Sequence, residues 1–288
     1  MHLPPYLSGE LDFAYVCHVY YRWHTYCCHP LPKVRELTQE HLTAGHPEIH
    51  VLNLELSDLE VALLASLRPS ESVASAASKL KGAASKSLRQ LMNLDRPQKL
   101  LGGGYFACTA GPSTSEELDR YLDDQAAHHG YSGQVNPPVY VQTWPLSEAD
   151  EQALQANHSV THIRWHLVFS TWDRKGTFTR PAAQAVTERW QSLAPGERIR
   201  LIKVSWVADH VHLALASHPL VVPANVVAVL LNAAQDVMRE QFDTLLIETG
   251  NPRLWKPGGY VGTYGDLANT QIQAYLRAWQ TNRGGTRD

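Results

Sequence analysis

The strongest constraint on the fold of this chain is an internal repeat. The segment GGYFACTAGPSTSEELDRYLDDQ, residues 103–125, resembles GGYVGTYGDLANTQIQAYLRAWQ, residues 258–280. Both begin Gly-Gly-Tyr and continue with Thr-x-Gly. Both also place a Tyr-Leu pair twelve residues after that threonine, at Tyr121 and at Tyr275, an offset of 154 residues. Self-similarity of this kind indicates a duplicated structural unit.

Three weaker matches lie upstream and keep the same order in both halves. They pair VALLASLRPS from Val61 with VHLALASHPL from Val211, KLKGAASKSL from Lys79 with VLLNAAQDVM from Val229, and CHVYY from Cys17 with WHLVF from Trp165. The first two matches share an offset of 150 residues. The chain is therefore predicted to hold two copies of one domain, residues 8–130 and 158–286. Residues 131–157 are predicted to be a linker because they are polar and carry a Pro-Pro pair.

Each copy is predicted to be a small α+β sandwich. FAYVCHVYY, THIRWHLVFST and IHVLNLEL are rich in β-branched and aromatic residues, which favour strands. RIRLIKVSWVADHVHLALAS is long enough for two strands with a bend near Ala208. SVASAASKLKGAASKSLRQLM and PANVVAVLLNAAQDVMREQF have helical spacing. TSEELDRYLDDQAA opens with a hydroxyl residue and early acids, a helix-start signal, and NTQIQAYLRAWQ is its counterpart. Each copy is thus a mostly antiparallel sheet flanked by helices.

Composition excludes several classes of protein. The formal net charge is -3 and 18% of the 288 residues are charged, so any nucleic-acid surface must be local. No apolar run is long enough to span a bilayer, and the N-terminus lacks the pattern of a secretory signal. Cys17, Cys27, Cys28 and Cys108 form no Cys-x-x-Cys pair, which favours reduced thiols and a cytoplasmic location. A zinc site at Cys27, Cys28 and His29 is disfavoured by the spacing.

Two short motifs carry chemistry. His210 and His212 lie two apart on a predicted strand, so their imidazoles share a face and can bind one metal ion; the alternative is a pair of histidines with local hydrogen bonds. Tyr121 and Gln125 lie four apart on a predicted helix and share a face. A phenol can attack phosphorus, and an amide oxygen suits Mg²⁺ or Mn²⁺. The alternative is a packed ring and a solvated amide.

Taken together, these motifs resemble the HUH single-tyrosine transposases of the insertion-sequence type. The shared features are the His-x-His strand preceded by Asp209, then a helix, Gly-Tyr-x-x-x-Thr-x-Gly, and Tyr-Leu-x-x-Gln. The resemblance implies a ferredoxin-like HUH nuclease fold and a Mg²⁺ or Mn²⁺ ion held by His210, His212 and Gln125. It also implies single-stranded DNA cleavage by a tyrosine, through a 5′-phosphotyrosine link and a free 3′-hydroxyl. Members are similar in acting as dimers that exchange tyrosine helices.

Each copy keeps only half of such a site. At the repeat offsets, the first copy has Glu60 and Ala62 where the second has the two histidines, and the second has Trp279 where the first has Gln125. The sequence therefore predicts a monomeric chain acting as an internal pseudo-dimer. Its single composite site would join His210, His212, Gln125 and the nucleophile Tyr121. Tyr275, used in cis with the same histidines, is the alternative nucleophile.

Other residues are predicted to support this site. Asp209 either orients a histidine from the second shell of ligands or caps a turn. Basic residues that could follow DNA phosphates, or form solvated faces, are Lys79, Lys81, Lys86, Arg89, Arg174 and Lys175. The predicted activity is strand transfer on single-stranded or hairpin DNA. The alternative is a domesticated protein that binds a DNA hairpin without cutting it.

Overall fold

Strands of one large sheet, with helices packed on it, make up a mixed α+β structure in this computed structural model, which describes residues 11–27, 31–94, 98–124 and 139–266. The strands are β1 (Asp12–His24), β2 (His50–Leu56), β3 (Glu60–Leu67), β4 (Tyr105–Ala110), β5 (Tyr140–Thr143), β6 (Ser159–His162), β7 (Arg164–Ser170), β8 (Ile199–Val207), β9 (His210–Ser217) and β10 (Gly258–Thr263). The helices are α1 (Val34–Thr43), α2 (Val73–Leu91), α3 (Ser115–Asp123), α4 (Glu148–Ala153), α5 (Arg180–Leu193), α6 (Pro223–Gln241) and α7 (Asp243–Glu248), with a 3₁₀ turn at Trp172–Arg174.

The two halves of the chain place their strands in the same order. In the N-terminal half the order is β2-β3-β1-β4, and in the C-terminal half it is β8-β9-β7-β10. Parallel pairing of β1 with β10, and of β4 with β6, joins the halves into one sheet. The final strand of each half therefore lies beside the beginning of the other half.

Reciprocal hydrogen bonds link the starts of the two long helices. The backbone N–H of Ala74 donates to the carbonyl of Pro219 at 2.9 Å, and the N–H of Ala224 donates to the carbonyl of Pro69 at 2.9 Å. Both pairs of equivalent residues are 150 apart in the sequence. Contacts in which i meets j and j meets i are the mark of an interface with two-fold symmetry.

A second reciprocal pair lies at the ends of β4 and β10. The hydroxyl of Thr109 donates to the carbonyl of Tyr264 at 2.8 Å, and the hydroxyl of Thr263 donates to the carbonyl of Ala110 at 2.6 Å. These are the threonines of the repeated Thr-x-Gly motif. The motif is thus used to tie the two halves together, and each buried hydroxyl gains a partner that offsets its desolvation.

The strand register corrects one of the sequence matches. Arg22 pairs with Ala62 on β3, whereas Val168 pairs with His212 on β9. Given the offset of 150 between β3 and β9, the residue of β1 that corresponds to His166 is Tyr20, not His18. The match of CHVYY with WHLVF was displaced by two residues, which keeps the alternation of faces and so leaves the hydrophobic pattern unchanged.

The sheet has one face covered by the long helices and one open face. Trp165, Leu167 and Phe169 of β7 are buried, and Phe169 meets Trp190 of α5 edge-on with ring centroids 6.1 Å apart. Side chains of a strand alternate between faces, so the intervening β7 residues point to the opposite side. The core therefore lies between sheet and helices, and the open face is left for other contacts.

Part of the segment predicted as a linker has regular structure. Strand β5 pairs antiparallel with β8 at the edge of the sheet. Helix α4 follows, and Asp150 on it forms an ion pair with Arg200 at 2.6 Å, while Glu151 pairs with Arg164. Hydrogen bonds from Ser147 and Arg200 lower the pKa of Asp150 to about 2. The described part of the predicted linker is therefore held against the C-terminal half by strand pairing and two ion pairs.

Two features of the described residues bear on environment. None of their helices has the length and apolar character needed to cross a membrane. Cys17, Cys27 and Cys108 are buried and carry no disulfide, and burial raises the pKa of the Cys108 thiol to about 12. Cys28 and His29 of the disfavoured zinc site lie outside the described residues.

Candidate active site

Helix α3 belongs to the N-terminal half but lies on the open face of the C-terminal half. Thr114 caps its start: the hydroxyl accepts from the Glu117 N–H at 3.1 Å, and the Glu117 carboxylate accepts from the Thr114 N–H at 2.8 Å. Such a capping box stabilises a short helix by about 1 kcal/mol. Leu118 and Leu122 are buried in one apolar cluster with Ala214 and Tyr264.

A buried lysine fastens the same helix to the sheet. The ammonium of Lys203 on β8 lies 2.7 Å from a carboxylate oxygen of Asp119 and 2.7 Å from one of Asp123, and its side chain is only 3% exposed. Burial disfavours the charged ammonium, but the hydrogen bonds and charges of the two aspartates outweigh this, so the pKa of Lys203 is raised. Leucines and aspartates on two faces of α3 thus fix its rotation.

The rotation of α3 brings Tyr121 to the histidines of the C-terminal half. The Tyr121 ring meets His212 edge-on with centroids 5.4 Å apart, and it meets His166 edge-on at 6.2 Å. His210 and His212 have ring centroids 5.0 Å apart and are both buried. The predicted nucleophile and the predicted histidine pair therefore meet, although 91 residues separate Tyr121 from His212 in the sequence.

Asp209 contacts the ring of His210. Its carboxylate lies 2.7 Å from the Nδ1 of His210, and its other oxygen lies 2.7 Å from the Nε of Arg174. Although burial opposes ionisation of Asp209, the hydrogen bond from His210 and the charges of His210 and Arg174 prevail, so its pKa is lowered. This contact is the one that the predicted orienting role of Asp209 requires, and the role itself stays a prediction. Arg174, predicted to contact DNA, is engaged with this carboxylate.

A third histidine contacts His212. The Nε2 of His166 lies 3.0 Å from the Nδ1 of His212, and the rings are nearly parallel at 22° with centroids 5.3 Å apart. Burial lowers the pKa of His166 to about 4, so its imidazole is neutral near pH 7. Tyr260 meets the His166 ring edge-on at 5.7 Å, and burial, with contributions from Cys17 and Tyr121, raises the pKa of Tyr260 to about 12.

The histidine pair has the donor chemistry for a divalent metal ion. When Nδ1 of each ring is engaged, by Asp209 or by His166, the remaining nitrogen, Nε2, is the atom that can carry a lone pair toward a ligand. Two imidazoles are an incomplete shell, and within the described ranges no cluster of three or more His, Cys, Asp or Glu side chains could hold a metal. Gln125, the third predicted ligand, lies outside the described residues.

The corresponding position in the N-terminal half has different chemistry. Glu60 takes the place of the first histidine and forms an ion pair with Arg22 at 3.4 Å, and the Arg22 guanidinium lies 5.2 Å from the centre of the Phe106 ring. Ala62 takes the place of the second histidine. Two imidazoles are thus replaced by a salt bridge and a methyl group. Tyr275 and Trp279, predicted to complete this second site, lie outside the described residues.

Two of the basic residues predicted to contact DNA are held within the protein. Lys79 forms an ion pair with Glu71 at 2.6 Å. The Lys81 ammonium donates to the carbonyl of Gly103 at 3.1 Å. Each contact pairs the lysine with an acceptor of the N-terminal half.

The other basic residues differ in exposure. Lys86 on α2 is exposed. Arg89 donates to the carbonyl of Gln98 at 3.0 Å, and Lys175 donates to the carbonyl of Gly250 at 2.5 Å. None of these contacts tests a role in DNA binding, which stays a prediction.

Sequence reasoning did not single out two residues of this site, His166 and Lys203. His166 lies in a strand segment that was used only as a repeat match. Its signal is the alternation in RWHLVFS, which puts it on the face opposite Trp165 and Leu167. A lysine inside a long apolar strand is the corresponding signal for Lys203, because lysine is rarely buried unless it is paired.

The C-terminal half of the chain is similar in sequence to known proteins. Residues 159–278 match the family model described as IS200-like transposase. The transposase for insertion sequence element IS200 from Salmonella typhimurium is 29% identical over 124 residues, which cover 41% of this chain and 80% of that protein. The transposase of the same name from Salmonella typhi gives the same figures.

A solved structure is similar over a comparable share of the chain. A crystal structure assigned as a transposase from Deinococcus radiodurans is 24% identical, covers 41% of this chain and 90% of that one, and has a TM-score of 0.34.

The matched residues 159–278 include the histidine strand β9 of the C-terminal half. Residues 159–278 are thus similar to the IS200-like transposase family, and the two Salmonella relatives are transposases, a class of enzyme.

Proposed function

We propose that this chain is a metal-dependent single-stranded DNA strand transferase with one composite active site. The observation that carries the proposal is the meeting of Tyr121, from the N-terminal half, with His212, from the C-terminal half, at a ring separation of 5.4 Å. The predicted internal pseudo-dimer requires that the tyrosine helix of one half packs beside the histidine pair of the other half. The repeated strand order and the reciprocal hydrogen bonds between the halves support that arrangement.

The proposed nucleophile is the phenol oxygen of Tyr121. It attacks the scissile phosphorus, the bond from phosphorus to the 3′-oxygen breaks, and a 5′-phosphotyrosine link forms. The proton lost by the phenol balances the proton gained by the departing 3′-oxygen. Rejoining reverses the same step, so no external energy source is needed.

A divalent ion, Mg²⁺ or Mn²⁺, when held by His210, His212 and Gln125, would polarise the phosphate and offset developing negative charge. The residues of the chain do the positioning. Asp209 fixes the ring of His210, and Lys203 fixes α3 and therefore Tyr121. Preorganised groups of this kind account for a large share of catalysis in phosphoryl transfer.

The matching half site of the N-terminal half is proposed to be inactive. Glu60 and Ala62 offer no imidazole, and the Arg22–Glu60 ion pair occupies the place of the histidines. With a single functional centre the chain would nick or transfer one strand at a time. It would act on single-stranded or hairpin DNA.

The test is formation of a covalent adduct. Purified chain is incubated with end-labelled hairpin oligonucleotides and Mn²⁺ and resolved on a denaturing gel, with EDTA and His212→Asn as controls. A metal-dependent labelled band that disappears in both controls is expected. Retarded migration on a native gel without any covalent band would instead identify a hairpin-binding protein that does not cut.

A further inference from the structure

A third histidine, His166, lies beside the histidine pair and contacts His212. Asp209 makes the equivalent contact with His210. The Nε2 of His166 on β7 lies 3.0 Å from the Nδ1 of His212, whereas the Nδ1 of His210 faces the carboxylate of Asp209 at 2.7 Å. The two histidines of the pair therefore have different partners on equivalent ring atoms. Neither family-level resemblance nor the repeat assigns a role to His166.

The contact between His166 and His212 bears on which ring nitrogen of His212 carries a proton. A hydrogen bond between two ring nitrogens holds one proton, which belongs either to His212 Nδ1 or to His166 Nε2. In a neutral imidazole, one nitrogen carries the proton and the other the lone pair. If His212 Nδ1 holds the proton, its Nε2 has a lone pair. If His166 Nε2 holds it, the Nε2 of His212 must carry a proton of its own and cannot act as a ligand.

We propose that His166 is a positioning residue that accepts the Nδ1–H of His212 and so presents the Nε2 lone pair of His212 to a divalent cation. The inference rests on the proposed function, because that function requires both Nε2 atoms as ligands. Histidine ligands commonly donate their second N–H to a carboxylate, a carbonyl or water. Here a neutral imidazole serves His212, while an anionic carboxylate serves His210.

The surroundings of His166 leave little freedom for another arrangement. Its ring is stacked on His212, and the rings of Tyr121 and Tyr260 meet it edge-on at 6.2 Å and 5.7 Å. Neighbouring strands fix the separation, because Val168, two residues along β7, pairs directly with His212. A displacement of His166 would therefore move the ligand ring and the Tyr121 ring together.

The first measurement needs neither a variant nor a metal. Long-range ¹H–¹⁵N correlation spectra of the ¹⁵N-histidine-labelled wild-type chain, with His212 assigned by comparison with His212→Asn, report which nitrogen carries the proton. The proposal predicts the Nδ1–H form of His212. An Nε2–H form in the metal-free protein would overturn it.

A matched pair of variants supplies the second measurement. In His166→Gln the amide oxygen can still accept from His212, whereas in His166→Phe the ring remains but the acceptor is lost. Mn²⁺ titration calorimetry should give His166→Gln within about threefold of the wild type and His166→Phe about 10- to 100-fold weaker. Equal Mn²⁺ affinity in wild type and His166→Phe would contradict the proposal.

The role of His166 and the proposed strand-transfer function can fail independently of each other. A wild-type chain with the Nδ1–H form of His212 that binds Mn²⁺ but forms no DNA adduct contradicts the strand-transfer function and supports the role of His166. A wild-type chain that forms an adduct while His166→Phe keeps full Mn²⁺ affinity supports the function and overturns that role.

Discussion

The ring of Tyr121 lies 5.4 Å from the ring of His212, and the two residues come from opposite halves of the chain. The N-terminal half cannot supply an equivalent contact alone, because it has Ala62 at the position of His212. The contact between Tyr121 and His212 therefore depends on the way the halves associate.

The salt bridge beneath α3 should control activity more than stability. Lys203→Met removes the ammonium but keeps an apolar stem, and both aspartates remain hydrated because they are more than half exposed. We expect the free energy of unfolding to change by no more than about 1 kcal/mol. Adduct formation should slow at least about tenfold, because small displacements of a nucleophile are costly. Urea melts and single-turnover adduct assays measure the two quantities, with the exposed Lys99→Met as the control. Loss of stability and activity in proportion would argue for a purely structural lysine.

The carboxylate behind His210 should tune metal affinity. Asp209→Asn keeps the shape but removes the charge that Nδ1 faces, so Mn²⁺ binding should weaken about 10- to 100-fold. Calorimetric titration measures the effect. Asp173→Asn is a matched control, since Asp173 has a positive φ of 55°, a conformation that asparagine tolerates well. If both variants bind Mn²⁺ equally, the orienting role of Asp209 is wrong.

The site should form within one chain rather than between chains. A mixture of Tyr121→Phe and His212→Asn chains is expected to give no DNA adduct, because each molecule lacks one half of its own site. The wild-type adduct rate per chain should not depend on protein concentration, and light scattering should give the mass of one chain. Restored activity in the mixture would show that helices are exchanged between molecules.

A side chain added at Gly258, where the two halves meet, should destabilise the fold. Gly258 begins β10 with a φ of +110°, and a Cβ there would lie 1.8 Å from the carbonyl oxygen of Asp12 on β1. Gly258→Ala should lower the free energy of unfolding by at least about 2 kcal/mol. Gly82→Ala, within α2 and with nothing within 4 Å, should instead raise it by about 1 kcal/mol. Thermal and urea unfolding distinguish these results, and equal effects would contradict the structural explanation.

Strong local patterns predicted much of the fold. The strand pair around Ala208 is confirmed as β8 and β9, and the helices predicted from SVASAASKLKGAASKSLRQLM and PANVVAVLLNAAQDVMREQF are confirmed as α2 and α6. Helix α3 begins after Thr114, as the hydroxyl residue and early acids of TSEELDRYLDDQAA predict. Each of these elements has a full apolar stripe or a capping signal, so its periodicity is visible in the sequence.

Helices α1 and α5 were not predicted from the sequence, because their buried faces carry few large apolar residues. The buried residues of α1 are Val34, Thr38 and Leu42, so one of three is polar. In α5 the buried set includes two alanines and a threonine. Such faces give weak periodicity, and only tertiary packing makes them helices.

The sequence singles out the proposed core of the site but not the residues that support it. The motifs point to His210, His212 and Tyr121, and the repeat shows that the histidine pair is kept in one half only, whereas a tyrosine is kept in both. His166 and Lys203 act through contacts across strands or between halves, and such contacts depend on the register. The register in turn shifted the correspondence of β1 with β7 by two residues, a displacement that the period-two pattern of a strand cannot reveal.

The most direct test of the central claim is the identity of the tyrosine that carries DNA. The covalent adduct formed with a hairpin oligonucleotide and Mn²⁺ is digested with protease and nuclease, and the modified peptide is sequenced by mass spectrometry, with Tyr121→Phe and Tyr275→Phe run in parallel. The account predicts a nucleotide on Tyr121, loss of the adduct in Tyr121→Phe, and its retention in Tyr275→Phe. A nucleotide on Tyr275, with full activity in Tyr121→Phe, would contradict it.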